Sequence, residues 1–135
     1  LLAAALASQI KIKMKREIKF RGIREEYNPA WHQSIFKYGN LLNLNSIGEV
    51  GYDLDHYEYA KVKPETVGQF TGLKDKNGDD IYEGDVIELV NGETVEVSFK
   101  SGKFVGIRKN GTVSLTSFYW IYAKIVGNVY ETVSA

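Results

Sequence analysis

Residues 67–90 read VGQFTGLKDKNGDDIYEGDVIELV, the densest run of turn chemistry and strand pattern in the chain. Lys74-Asp75-Lys76-Asn77-Gly78 is a polar cluster ending in Asn-Gly, a dipeptide that takes positive φ at low cost and predicts a tight hairpin. Gly72, Gly78 and Gly84 allow backbone angles that other residues resist. Asp75 is placed to accept bonds from backbone amides two residues on, and Asp85 to do the same after Gly84. Ile81 and Tyr82 point to opposite faces of a strand, so one of them is expected to pack inward. Residues 86–90, VIELV, then read as the next strand. A small β fold follows, with the glycine and aspartate pattern shaping a hairpin and its exit.

Working outward, the second half continues in the same style. Val95, Val97 and Phe99 alternate, Ser101-Gly102-Lys103 makes a turn, and residues 104–107 return. Asn110-Gly111 is a second Asn-Gly hairpin signal, and 124–130 closes the chain as a strand broken at Gly127-Asn128. Short strands joined by glycine turns predict a small barrel. The first half is less legible. Glu17-Ile18-Lys19-Phe20-Arg21 has the period-2 pattern of a half-buried strand, with Gly22 expected to end it or bulge it. Trp31, Ile35, Phe36 and Tyr38 fit one face of a short helix after Asn28-Pro29. Residues 41–47 read as a strand or loop edge, Gly48 and Gly51 as the brackets of a turn, and 57–62 as a strand. Pro64-Glu65-Thr66 is the best boundary. Residues 1–13 precede the sole methionine, Met14, and are read as an added or upstream segment.

Composition narrows the chemistry. The 135 residues fit one domain or two very small ones. No cysteine is present, which removes disulfides and thiolate chemistry. His32 and His56 are the only imidazoles and show no metal-ligand spacing. The acids around Asp75 fail the EF-hand template, which wants Gly at loop position six and Glu at twelve. Neither GxSxG nor a phosphate-binding GxxxxGK[ST] occurs. No cofactor and no metal are expected, and an enzyme ranks third among the functional readings. No apolar run approaches the ~20 residues that cross a bilayer, and the reading is a soluble, cytoplasmic protein.

The 17 basic and 17 acidic residues cancel, yet they are unevenly placed. Residues 75–96 hold eight acids against Lys76 alone, whereas 97–130 hold Lys100, Lys103, Arg108, Lys109 and Lys124 with no acid. Three readings compete: opposite charges paired across neighbouring strands, head-to-tail docking in a homo-oligomer, and a basic nucleic-acid groove in which aromatics such as Tyr119 and Trp120 stack bases.

Four segments carry a family likeness: Arg16 to Arg21 (REIKFR), Glu65 to Gly78 (ETVGQFTGLKDKNG), Ile81 to Ile87 (IYEGDVI) and Ile125 to Glu131 (IVGNVYE). On these the chain resembles the YopX family of small phage and prophage proteins. It departs from the family's habit after the opening arginine, where Gly22-Ile23-Arg24 replaces Ala-Trp-Asp. The resemblance implies an N-terminal α+β part, residues 14–66, packed on a C-terminal SH3-like barrel, residues 67–135. It implies no known activity. The expectation is therefore a mainly β, non-catalytic phage or prophage accessory module of the bacterial cytoplasm. Its partner would be an unknown protein or nucleic acid, the latter bound through Lys100, Lys103, Arg108, Lys109, Tyr119, Trp120 and Lys124.

Overall fold

The computed structural model describes residues 17–27, 29–31, 34–43, 48–50, 60–115 and 122–131. Residues 1–13, His32, His56, Tyr119 and Trp120 lie outside that set. The described residues form twelve strands: β1 Phe20–Ile23, β2 Phe36–Gly39, β3 Leu41–Asn43, β4 Gly48–Val50, β5 Ala60–Val62, β6 Gly68–Lys74, β7 Asp80–Tyr82, β8 Asp85–Glu88, β9 Thr94–Lys100, β10 Lys103–Arg108, β11 Gly111–Ser114 and β12 Lys124–Asn128. They build a four-stranded sheet in the order β2-β1-β6-β7, a five-stranded sheet β11-β10-β9-β8-β12, and a three-stranded sheet β3-β4-β5. The protein is mainly β, and its strand pairs are antiparallel.

The helix expected after Asn28-Pro29 is instead a 3-10 turn at Pro29–Trp31, and Phe36 and Tyr38 belong to β2. Long-range pairing overrides the helical spacing there, because β2 finds a full register with β1, from Phe20 opposite Gly39 to Ile23 opposite Phe36. Gly48 likewise opens β4 rather than a turn. Gly22 does not end β1 but sits within it, where a Cβ would stand 2.8 Å from a Val62 methyl. The four-stranded sheet runs across the Pro64–Thr66 turn, since β6 pairs with β1. Among the described residues, β8 to β11 therefore run as a meander, β12 returns to pair with β8, and β6 and β7 are given to the other sheet.

The hairpin signals hold. Asp75 N–H donates to the Asp79 carbonyl (2.9 Å) and Gly78 N–H to the Asp75 carbonyl (3.0 Å), closing a three-residue loop of Lys76, Asn77 and Gly78. Gly78 is left-handed at φ 83°, the position such a loop reserves for glycine. The β9–β10 turn is tighter: Lys100 faces Lys103, and Ser101 and Gly102 both have positive φ, 52° and 77°.

The main core is built from alternate residues of the meander. Ile87 stands between Ile125 and Val95 in register, and Ile81, Val97 and Ala123 complete a fully buried cluster. Ile81 and Tyr82 were expected to divide into one inward and one outward residue; both are buried. β7 lies between two apolar bodies, with Ile81 in the meander core and Tyr82 ringed by Phe70 and Tyr38 on the four-stranded sheet.

Candidate functional site

The alternation of residues 17–21 suggests hydrophobic side chains inward and charges outward. The structure reverses this. Ile18 is 54% exposed, whereas Arg21 is buried at 5%. Arg21 Nη2 sits 2.7 Å from Asp85 Oδ1 and donates at 3.3 Å to the Glu83 carbonyl. Its guanidinium lies 4.3 Å from the Phe36 ring centre and 4.9 Å from that of Tyr82. Asp85 Oδ2 accepts the Tyr82 N–H at 2.8 Å. Asp85 thus bonds backward and across the fold instead of capping the residues after Gly84. One ion pair joins β1 to the start of β8.

Burial pushes the Asp85 carboxyl above its ordinary value, although Arg21 and the Tyr82 amide both pull it down. Burial likewise raises the Tyr82 hydroxyl well above the usual phenol range, so it stays protonated near neutral pH. Arg21 Nε is buried without a hydrogen-bond partner among the described residues and is faced by the aromatic rings.

Over this pair lies an open cleft of about 1150 Å³. Arg21, Tyr82 and Asp85 line it, together with Ile125 and Asn128 of β12 and with Ile35 and Tyr38. At its rim Lys19 Nζ is 2.6 Å from Asp80 Oδ2 and 3.2 Å from Glu17, while Lys74 Nζ is 3.1 Å from Asp80 Oδ1. Burial alone would raise the Asp80 carboxyl and lower the Lys19 ammonium. The hydrogen bonds and charges of their partners win, so Asp80 falls below its ordinary value near 3.8 and Lys19 rises above 10.5.

The signs give a pH prediction. A lowered carboxylate value stabilises the fold above the unfolded value, and that contribution is lost as pH falls through the folded value. A raised lysine value stabilises below 10.5 and is lost as pH climbs past it. Asp80→Asn is expected to cost about 1 kcal/mol or less at pH 7, because the groups are a quarter exposed. The gap between the urea midpoints of variant and parent should shrink as pH falls below the ordinary carboxylate value of 3.8; a gap unchanged through that range would contradict the assignment.

The turn residues of the central stretch meet the same region. Asp75 Oδ1 accepts the amides of Asn77 and Asp79, both at 2.9 Å, the local turn read from the sequence. Its other oxygen accepts the Ile125 amide at 3.1 Å, fifty residues away. Gly84, left-handed at φ 90°, donates to Val97 and accepts from Val129. Asn77 lies in the exposed turn, whereas Gly72 sits within β6, left-handed at φ 86° where the β6–β7 register shifts.

The basic candidates are not gathered into one groove. Lys100 and Lys103 face each other at the β9–β10 tip, whereas Arg108 and Lys109 lie at the far end of β10, about 17 Å along the strand at ~3.3 Å per residue. Lys124 is on β12, three strands from β10 and opposite Glu88. Arg108 is held by Glu93, with Nε 3.0 Å and Nη2 3.1 Å from its carboxylate oxygens. The uneven charge of the second half is thus paired in part within its own sheet.

Arg21, Phe36, Tyr38 and Tyr82 escaped the reading of the sequence as site residues, and so did Lys19 and Asp80. A signal was available: Arg21 and Asp85 fall in two separate segments of the family likeness. Among the described residues no group of three or more His, Asp or Glu side chains is placed to hold a metal, and no helix is long and apolar enough to cross a membrane.

No curated protein matches the chain. The family model described as YopX protein matches residues 19–134. That span includes β1 with Arg21, the central hairpin with Asp75 and Asp85, and β12, which the Arg21–Asp85 and Asp75–Ile125 contacts tie together. The chain belongs to the YopX protein family.

Proposed function

We propose that the protein is a non-catalytic accessory module of a phage or prophage that binds another macromolecule in the cleft above Arg21 and Asp85. The observation that carries this reading is the cleft's partly apolar lining, in which Ile18, Ile35 and Tyr38 are 54%, 42% and 45% exposed. Large apolar side chains grouped at a cleft mark a contact surface. Several charged groups beside them are bound to one another: Arg21 to Asp85, and Lys19 and Lys74 to Asp80. Acid–base catalysis needs an ionisable group free to meet a substrate, and these are held in the packing. The same reading takes the meander as an SH3-like unit on the strength of the resemblance, and sets the protein in the cytoplasm of a bacterial host.

The test is a comparison of wild type with an Ile18→Ser, Ile35→Ser double variant, each used as bait in lysogenic or infected cells, with quantitative mass spectrometry of what co-purifies. A partner depleted in the variant, with the circular dichroism spectrum unchanged, supports the cleft. An identical set from both baits removes it. Nucleic-acid binding is the second reading, and the β9–β10 hairpin tip favours it.

A further inference from the structure

We infer that the tip of the β9–β10 hairpin is a contact for single-stranded nucleic acid, with Phe99 stacking on an unpaired base and Lys100 and Lys103 holding the flanking phosphates. The inference rests on the nucleic-acid reading and narrows it to one site and one kind of strand. Alternation along β9 puts Phe99 on the side of the buried Val95 and Val97, but at the strand end it is 50% exposed. Its cross-strand neighbour Phe104 meets it edge to face at 5.1 Å, which fixes the ring while leaving much of it open. Two left-handed residues, Ser101 and Gly102, close the hairpin with a two-residue turn, which sets Lys100 and Lys103 opposite each other.

The charge at the tip is uncompensated. Lys100 and Lys103 are exposed and enter no ion pair or side-chain hydrogen bond among the described residues. Residues 97–130 contain no acid. Along β9 the nearest acid on the face of Lys100 is Glu96, about 13 Å back and beyond a Debye length of ~8 Å.

Size decides among anionic partners. A protein interface takes about 800 Å² per side, far more than one hairpin tip supplies. An anionic membrane is recognised by clusters of roughly four to eight cations, and here there are two. A nucleotide asks only for one aromatic face and one or two phosphate contacts. Duplex bases keep their faces stacked, whereas single strands offer them to an aromatic ring.

The experiment is fluorescence anisotropy of the full chain with a labelled oligo-dT, and with a duplex of equal length, over a salt series. The single strand should bind more tightly, with log affinity falling against log salt at a slope of about −1.4, from ~0.7 per phosphate contact. Phe99→Ala should weaken it about tenfold, Phe99→Trp should retain binding, and Lys100→Gln or Lys103→Gln should each flatten the slope by ~0.7. Binding of both nucleic acids with no response to Phe99→Ala overturns the stacking contact and leaves the nucleic-acid reading standing. No binding to either at low salt, or binding only to phosphatidylglycerol vesicles, overturns both.

Discussion

Arg21→Met is expected to lower the unfolding free energy by about 3–5 kcal/mol, the usual result of stranding one member of a buried ion pair. A domain holds only ~5–15 kcal/mol in total, so this one change takes a large share. Met keeps much of the volume against Phe36 and Tyr82 but leaves the Asp85 carboxylate, 2% exposed, without its cation. The loss should depend on pH. The folded carboxyl of Asp85 already lies above its ordinary value, and removing Arg21 takes away the largest force opposing the rise. A group that holds its proton more tightly when folded loses stability as pH rises through the window from its unfolded to its folded value. The variant should therefore be least impaired in acid and most impaired at neutral pH and above. Adding Asp85→Asn should recover much of the loss, because the amide oxygen still accepts the Tyr82 N–H without carrying charge. Urea denaturation of the two singles and the double closes the cycle. A double variant as unstable as the sum of the singles would show that the pair is not coupled.

Asp75→Ala is expected to cost about 2–4 kcal/mol, since three backbone amides lose their shared acceptor at once. Asp75→Asn separates the local bonds from the long-range one. Its oxygen can still cap Asn77 and Asp79, but its NH₂ then faces the Ile125 N–H, donor against donor. Hydrogen exchange reads this directly. In Asp75→Asn the amides of Asn77 and Asp79 should stay protected while Ile125 exchanges faster. Retained protection at Ile125 would mean that the hairpin is held to β12 by its other bond, from the Lys76 amide to the Ala123 carbonyl.

The Asp75 bonds show where the sequence stops being readable. Its bonds to Asn77 and Asp79 lie within a five-residue window, and turn chemistry predicts them. Its bond to Ile125 spans fifty residues, and nothing in the local pattern announces it. The same division runs through the candidate site. Alternation sets Tyr82 opposite Ile81 on its strand, but it does not reveal that Phe70 and Tyr38, from other strands of the same sheet, pack around it.

The hairpins, the succession of short strands and the family likeness are legible in the sequence, because each depends on local backbone preferences or on short motifs. The division of the strands of residues 67–135 between two sheets is not. Tertiary structure alone decided that a charged side chain of β1 faces inward and an isoleucine outward. Arg21 belongs inside only because Asp85 arrives from sixty-four positions away to share its charge, with Phe36 and Tyr82 supplying the rings. Period-2 patterning assumes that charge prefers water, and it fails where a distant opposite charge and facing rings offset part of the cost of burial.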